Sequence, residues 1–161
     1  MAISSRMLDA LYNKDVLRRA ATIGRTGRLA APDASVTRVS PVCGSRITVD
    51  IAVKDGVVSD YAQDIHACAL GQSSAAVLAE KVVGRGAAEL RKVAEQVRAM
   101  LVDGAPPPDG DWAGLAILAP VHQHRTRHGA VMLPFEAVID AITEVTGEAA
   151  VPGDNQLTKR S

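Results

Sequence analysis

Aromatic side chains are scarce in this sequence. They make up 2% of the 161 residues, whereas hydrophobic residues of all kinds make up 47%. A core of ordinary size therefore has to be built from aliphatic residues and alanine. The length suits one domain with a core of its own. The rings that are present belong to Tyr12, Tyr61, Trp112 and Phe135.

The sequence also lacks an excess of charge of either sign, and it lacks long apolar runs. Lysine and arginine together number 18, as do aspartate and glutamate, so no net field attracts the chain to nucleic acid or anionic lipid. No stretch approaches the roughly 20 apolar residues of a membrane-spanning helix, and the N-terminal residues lack the pattern of a signal peptide. We therefore expect a cytoplasmic protein that binds neither nucleic acid nor membranes.

Cysteine is scarce as well, since Cys43 and Cys68 are the two in the chain. In a reducing compartment a pair of cysteines rarely serves as a structural disulfide. Metal binding, thiol chemistry and simple burial remain open for them. The sequence also has no Gly-rich phosphate loop after a strand, no GxSxG motif and no CxxC motif, so nothing supports a nucleotide-dependent or hydrolytic activity.

Three segments have the alternating pattern of β-strands. In "SRITVDIAV" (45–53) the side chains of Ile47, Val49, Ile51 and Val53 point to one face. Asp55-Gly56 follows and is a strong signal for a two-residue hairpin turn, after which "VVSDYAQDI" (57–65) returns. "SVTRVS" (35–40) precedes them with a similar pattern. The sequence predicts three consecutive antiparallel strands.

Helical spacing of apolar residues marks most of the remaining chain. It predicts a first helix over residues 5 to about 22, a small-residue helix that stops near Gly84, a helix over 87–101 and a last helix from Val131 to Val145. The segment "APVHQHRTRHGA" (119–130) is predicted to be a polar, basic connection.

Strands and helices are thus segregated along the chain. This order predicts an α+β domain over residues 1–147, with a three-stranded antiparallel sheet and helices packed on it. Residues 148–161 are polar and contain Pro152 and Gly153. We expect them to form a disordered C-terminal tail.

Cys68 stands at the start of the predicted small-residue helix. Unpaired N–H groups and the helix dipole stabilise a thiolate there, and a thiolate is what metal binding and sulfur transfer require. Cys43 lies just before a strand, in a turn with Pro41 and Gly44. The strand order predicts that both cysteines come to one end of the sheet.

Other candidate ligands are histidines. His122, His124 and His128 crowd one basic segment, and His66 lies two residues before Cys68, on the same face if the strand extends that far. Neutral imidazole is a good metal ligand, although histidines in a polar segment are more often solvated. Asp60 and Asp64 share one side of a strand and are interpreted as a solvated face rather than an acid/base pair.

The stretch "PVCGSRITVDIAVKDGVVSDYAQDIHACALGQSSAAVLAEKVVGRG" resembles the core of the U-type iron–sulfur cluster assembly scaffold proteins: IscU, SufU and the N-terminal domain of NifU. "LYNKDVLRRAATIGRTGRL" is similar to the first helix and loop of that family, and "RTRHGAVMLPFEAVIDAI" to its last loop and helix. The resemblance covers about residues 7 to 143. It implies the same fold, a three-stranded antiparallel sheet with helices packed on it.

The resemblance also implies a site. In the family, three cysteines and an aspartate assemble a [2Fe–2S] cluster or bind zinc, with sulfur supplied by a cysteine desulfurase. Residue by residue, the first two cysteines match Cys43 and Cys68. The aspartate position is Ser45, and an ungapped alignment of "AVMLPFEAV" places Ala130 at the third cysteine. His128 is a candidate replacement ligand, as are His124 and His66.

Three functions follow from the resemblance. In the first, the protein is a scaffold or carrier rather than an enzyme. It binds iron, a [2Fe–2S] cluster or zinc through Cys43 and Cys68, with His128 as a third ligand. Its partners are a cysteine desulfurase and cluster-recipient proteins, and it is a monomer or a homodimer that shares a cluster. In the second, it is a SufE-like persulfide acceptor. In the third, it binds proteins without metal.

Overall fold

The computed structural model describes residues 13–42 and 44–147, together with the backbone of Lys159 and Arg160. Cys43 and the segments 1–12 and 148–158 lie outside the described residues, as does Ser161. For residues 148–158 and Ser161 the predicted disorder of the tail therefore stays a prediction, whereas Lys159 and Arg160 form a short strand. The first helix predicted over residues 5 to about 22 is wrong at Asn13, whose backbone is extended (φ −72°, ψ 176°), so that a helix begins at Lys14; the residues before Asn13 lie outside the described ones.

The predicted strands form an antiparallel sheet. Its strands are β1 (Ala34–Ser40), β2 (Ser45–Lys54), β3 (Val57–His66) and a two-residue strand β4 (Lys159–Arg160), in the order β3-β2-β1-β4. Asp55 and Gly56 both have positive φ, 55° and 80°, as a hairpin turn of the predicted kind requires. The α+β fold with three main antiparallel strands is confirmed, and β4 adds to the edge of β1 beside Val36 and Thr37.

Helices cover one face of this sheet. They are α1 (Lys14–Ala21), α2 (Ala69–Lys81), α3 (Ala87–Asp103) and α4 (His128–Thr146). The Asn13 side chain caps α1 by accepting a hydrogen bond from the Val16 N–H at 3.0 Å. Helix α4 packs on β1, β2 and α2. Its apolar side chains form one buried core with Ile47, Val49 and Ile51 of β2. The core is mainly aliphatic, as the composition predicts, and it also contains Tyr61, Trp112 and Phe135.

The structure corrects the prediction of a loop before the last helix. Residues Gly110–Gln123 form a series of 3₁₀ turns, and Arg125–Arg127 form another, so that α4 begins at His128 rather than Val131. This segment packs against the core through the buried side chains of Leu115, Leu118 and Val121. The prediction failed because the spacing of these three residues follows the tighter 3₁₀ turn, which the 3.6-residue period does not detect.

Small residues set the distance between α2 and its neighbours. The hydroxyl of Ser73 donates to the Val16 carbonyl of α1, and that of Ser74 donates to the Val131 carbonyl of α4, both at 2.6 Å. Both serines are fully buried, so these bonds satisfy polar groups that water cannot reach. Among the described residues, no helix is both long and apolar enough to cross a membrane.

Candidate metal and thiol site

The candidate site lies at the end of the sheet where β1 passes into β2. Ser40 and Ser45 are paired residues of the two strands, and the Gly44 N–H donates to the Ser40 carbonyl at 2.8 Å. Cys43 belongs to the connection between them and lies outside the described residues. Its neighbour Val42 is 73% exposed. The connection that carries the first predicted ligand is therefore a tight turn at the surface.

Cys68 occupies the position that its sequence predicts, at the start of a helix. It is the N-cap residue of α2, with φ −67° and ψ 172°, and it makes no side-chain capping bond. Its thiol is free and partly buried. Strand β3 ends at His66, so the strand does not extend to Cys68 and the two side chains do not share a strand face.

Ala130 lies beside the first turn of α2. A Cβ added to Gly71 would lie 3.2 Å from the Ala130 carbonyl oxygen and 3.5 Å from its Cβ, and 2.8 Å from the Cβ of Ala67. Gly71 follows Cys68 by three residues, which places it one turn further along α2. The position that the resemblance equates with a third cysteine is therefore close to Cys68 in space.

The same end of α4 also contacts the end of β1. A Cβ added to Gly129 would lie 2.7 Å from the Ser40 hydroxyl oxygen, so a larger residue would displace this serine. Contacts thus run from Ser45 through Ser40 and Gly129 to Ala130. Ser45 is 3% exposed and Ala130 is 0% exposed. Three of the four positions that the resemblance singles out converge on one end of the sheet, and two of them are filled by small buried side chains.

Two of the histidines, His128 and His122, form hydrogen bonds to backbone carbonyls. His128 Nε2 lies 2.9 Å from the Val121 carbonyl and 3.2 Å from that of His122. A carbonyl oxygen only accepts, so Nε2 carries the proton and Nδ1 is the nitrogen with a free lone pair in the neutral ring. His122 Nδ1 donates in the same way to the Leu101 carbonyl at 2.8 Å. His128 as a metal ligand stays a prediction, and it would have to bind through Nδ1.

His66 faces away from the helices. It is paired with Arg46, whereas the neighbouring Ile47 is buried against the helices, so His66 and Arg46 lie on the outer face of the sheet. Its Nε2 is 3.4 Å from Asp64 Oδ1. Asp64 and Asp60 are both more than half exposed, which agrees with a solvated face rather than a catalytic pair.

Sequence reasoning missed two buried polar residues, Asp50 and Gln63. The Asp50 carboxylate is 0% exposed and accepts hydrogen bonds from Arg28 Nε at 2.7 Å, Ser35 Oγ at 2.5 Å and the Leu29 N–H at 3.0 Å. Burial raises the pKa of Asp50, but these bonds outweigh it and hold the pKa below its ordinary 3.8. The bond to Asp50 also raises the pKa of Arg28.

Gln63 binds the segment Gly24–Gly27 to the sheet. Its Nε2 donates to the Gly24 carbonyl at 3.0 Å and to the Ala75 carbonyl at 3.3 Å, and its backbone bonds to Arg25 and Gly27. Its Oε1 accepts from the Tyr61 hydroxyl at 3.1 Å. Burial raises the pKa of Tyr61, so this hydroxyl keeps its proton. A polar residue inside a strand pattern was the available signal, but its partners are distant in sequence.

The described residues supply few donors for a metal ion. Within 13–42 and 44–147, no three His, Cys, Asp or Glu residues are grouped closely enough to hold a metal ion. The described part of the site supplies the thiol of Cys68, and His128 Nδ1 is a predicted further ligand. Cys43 would be the further thiol. This single-chain set falls short of the four strong ligands that a [2Fe–2S] cluster takes.

Comparisons with known proteins agree with the fold. The family model described as the NifU-like N-terminal domain matches residues 11–129. A solved structure described as a nitrogen-fixing NifU-like protein (N-terminal) from Brucella abortus is 41% identical, with a TM-score of 0.85 over 89% of this chain and 99% of that one. The family match ends one residue before Ala130, so the role of that position rests on the contacts above.

Two more distant proteins are also similar to this chain, one in sequence and one in fold. The iron–sulfur cluster assembly scaffold protein IscU of Thermotoga maritima is 23% identical over 104 residues, which cover 65% of this chain and 72% of that protein. A structure described as a scaffold protein for the SUF system from Fervidobacterium islandicum has a TM-score of 0.76 at 16% identity, covering 83% and 98% of the two chains. At that identity the likeness concerns the fold alone.

Proposed function

Because this chain belongs to the family of NifU-like N-terminal domains, we propose that it is a scaffold or carrier in iron–sulfur cluster assembly. It holds iron, a [2Fe–2S] cluster or zinc transiently through Cys43 and Cys68 and passes it on, without turning over a substrate of its own. Its partners are a cysteine desulfurase and the proteins that receive the cluster. The metal or cluster is cargo rather than a resident cofactor.

One observation carries this proposal. The free, partly buried thiol of Cys68 stands at the N-terminus of α2, whose first turn contacts Ala130 of α4. Thiolate sulfur is the form of cysteine that binds iron and zinc. Ser40 and Ser45, which flank the turn containing Cys43, contact the same end of α4 through Gly129.

The test is anaerobic purification followed by analysis of iron, zinc, acid-labile sulfide and visible absorption. We expect metal in the unaltered protein and its loss in Cys43→Ala and in Cys68→Ala. Val102→Ala, at an exposed position of α3, is the matched control and should retain the metal. Metal or chromophore retained in either cysteine variant would show that the site lies elsewhere.

His128 is the proposed third ligand, through Nδ1. His128→Gln keeps an amide donor for the Val121 and His122 carbonyls but removes the imidazole ligand. Loss of one zinc ligand should weaken zinc binding about tenfold or more. Competition with a chromophoric chelator measures this, and thermal unfolding of the metal-free protein controls for local damage. Equal zinc affinity in the two proteins would remove His128 from the ligand set.

A second function is favoured by the state of Cys68. A free thiol at a helix N-terminus suits attack on the persulfide of a cysteine desulfurase, which transfers the outer sulfur and leaves the donor cysteine as a thiolate. Intact mass after incubation with a desulfurase and cysteine should then show added sulfur on the unaltered protein but not on Cys68→Ala. If both cysteine variants bind partners fully and neither metal nor sulfur is found, the protein is a metal-free docking member of the family.

A further inference from the structure

The two edges of the sheet are covered to different extents. Two separate segments form backbone hydrogen bonds to the edge of β3. The Gly27 N–H donates to the Gln63 carbonyl at 2.8 Å. The Val58 N–H donates to the Arg85 carbonyl at 2.9 Å, and the Val58 carbonyl accepts from the Gly84 N–H at 2.7 Å. These bonds occupy backbone groups that a strand of another chain would otherwise pair with.

The edge of β1 has less cover. In the described part of the chain, the strand that pairs with β1 on this side is β4, whose two residues lie beside Val36 and Thr37. β1 itself has seven residues, Ala34–Ser40. A two-residue strand forms few backbone hydrogen bonds, so a longer strand that pairs with the same edge would displace it.

β1 lacks the features that commonly protect an exposed edge. Proteins protect such strands with proline, with uncompensated charge or with a bulge. The sequence ASVTRVS of β1 contains no proline and no lysine, and its register with β2 is unbroken from Ala34 to Ser40. Its one charged residue is Arg38, whose charge is compensated by an ion pair with Asp140 of α4. Besides β4, little in the strand itself opposes pairing with another chain.

The sequence of β1 also suits pairing with a second copy of itself. An antiparallel register that uses all seven residues places Thr37 opposite Thr37 and Ser35 opposite Val39. Arg38 lies opposite Val36, so no two charged residues face each other across the pair. The β-branched side chains of Val36, Thr37 and Val39 favour the strand conformation. Val39 is 56% exposed in the single chain, and this register places Ser35 of the second copy beside it.

We propose that the edge of β1 is a self-association surface and that β4 guards it. While β4 occupies the edge, the chain is a monomer. When β4 leaves the edge, two copies pair through β1 and their sheets become one continuous sheet. The contact is a single strand pair, so the dimer is weak and its formation depends on concentration.

This dimer does not join the two candidate metal and thiol sites. Each site lies at the Ser40 end of β1, and in an antiparallel pair centred on Thr37 the two Ser40 residues are about 20 Å apart along the strands. Each copy therefore keeps its own site, and the inference does not depend on the proposed function.

The experiment compares the full chain with a full-length variant in which β4 cannot pair. Lys159→Pro together with Arg160→Pro removes both backbone N–H donors of β4. Analytical ultracentrifugation and light scattering over a series of concentrations give the dissociation constant of the dimer. We expect this constant to be at least about tenfold lower for the double-proline variant, since β4 no longer competes for the edge. Equal dissociation constants, or two proteins that both stay monomers, overturn the proposal.

Two lysine substitutions in the double-proline variant test the surface. Thr37 and Thr48 are neighbours on the outer face of the sheet, and their hydroxyl oxygens are 2.8 Å apart in a hydrogen bond. Thr37→Lys places two lysines opposite each other in the dimer, with Cβ atoms about 5 Å apart, and like charges there oppose pairing. Thr48→Lys is the matched control, because it removes the same hydrogen bond one strand away from the edge.

We expect Thr37→Lys to return the double-proline variant to the monomer and Thr48→Lys to leave it a dimer. Dimers that persist to the same extent in both variants would show that the copies meet elsewhere, which contradicts the assignment of β1. Circular dichroism confirms that each variant folds.

Discussion

Asp50 shows how one residue acquires a role that its position in the sequence does not reveal. It stands on the outer face of β2, where an alternating strand usually carries solvated side chains, yet it is 0% exposed. The loop residues Arg28 and Leu29 fold over it and supply hydrogen bonds, and Ser35 supplies another from β1. A buried carboxylate is tolerated because donors surround it.

Replacing Asp50 tests this account. Asp50→Asn should destabilise the fold by about 1–3 kcal/mol, because the bonds from Ser35 and the Leu29 N–H then go to a neutral, weaker acceptor. The ion pair with Arg28 adds less, since that arginine is more than half exposed and water screens it. Urea unfolding at neutral pH measures the loss, and Asp60→Asn, at an exposed position of β3, is the control.

The same variant should change the response to acid. A carboxyl whose folded-state pKa is lowered stabilises the fold above its unfolded-state pKa and loses that contribution as the pH falls through the folded value. The pKa of Asp50 is below its ordinary 3.8. The stability difference between the unaltered protein and Asp50→Asn should therefore be full above about pH 5 and shrink below about pH 4. A difference independent of pH down to 2.5, in urea titrations at about half-unit steps, would contradict this.

At the scale of elements, the approach of α2 to α4 sets the geometry of the site end. Gly71 permits the approach because it has no side chain, and the Ala130 carbonyl faces it. Residue 134 is a proline inside α4. It has no N–H to donate to the carbonyl four residues earlier, which is that of Ala130. The contact thus lies where the hydrogen-bond ladder of α4 is interrupted.

Gly71→Ala is expected to disturb this contact. The added methyl would lie 2.8 Å from the Ala67 Cβ and 3.2 Å from the Ala130 carbonyl oxygen, and neither atom is the far end of a flexible side chain. Overpacking of this kind costs about 1–3 kcal/mol, which exceeds the gain in helix propensity. Thermal unfolding measures it. Gly24→Ala is the matched control, since nothing lies within 4 Å of the added atom there, and a Tm drop as large as that of Gly71→Ala would refute the steric account.

At the scale of the whole molecule, Gln63 connects parts of the chain that are far apart. It joins the loop at Gly24, strand β3 and the Ala75 carbonyl of α2, and all of its side-chain polar atoms have partners. The edge of β3 is covered at this point, because Thr26 forms a parallel bridge with Gln63. A covered edge protects the sheet from pairing with another chain.

Gln63→Leu should loosen this connection. The buried Tyr61 hydroxyl would be left without its partner, at a cost of about 1–3 kcal/mol, and the Gly24 and Ala75 carbonyls would each lose one hydrogen bond. We expect a clearly lower Tm and faster amide exchange of Gly27, whose N–H bonds to the Gln63 carbonyl. Tyr61→Phe removes only the hydroxyl bond and should have a smaller effect. If Tyr61→Phe matches Gln63→Leu, the connection runs through the tyrosine instead.

Periodicity within the sequence determined most of the elements. Three strands, the Asp55-Gly56 turn, the helices after Cys68 and the aliphatic core were all predicted, because period-2 and period-3.6 patterns report which face a segment buries. Cys68 at a helix start followed from the same reading, and the resemblance carried by residues 41–86 indicated the family that residues 11–129 match. These features depend on neighbours along the chain, which a sequence displays directly.

Only the tertiary structure decided which residues of different elements are in contact. It placed Ala130 next to the first turn of α2, put His66 on the outer face of the sheet, and bound His128 to the Val121 and His122 carbonyls. It also buried the side chains of Asp50 and Gln63, whose hydrogen-bond partners come from separate segments of the chain. Such relations depend on how elements pack, since Gly71 and Ala130 are 59 residues apart and Ser40 and Gly129 are 89 apart. No local pattern encodes a packing distance.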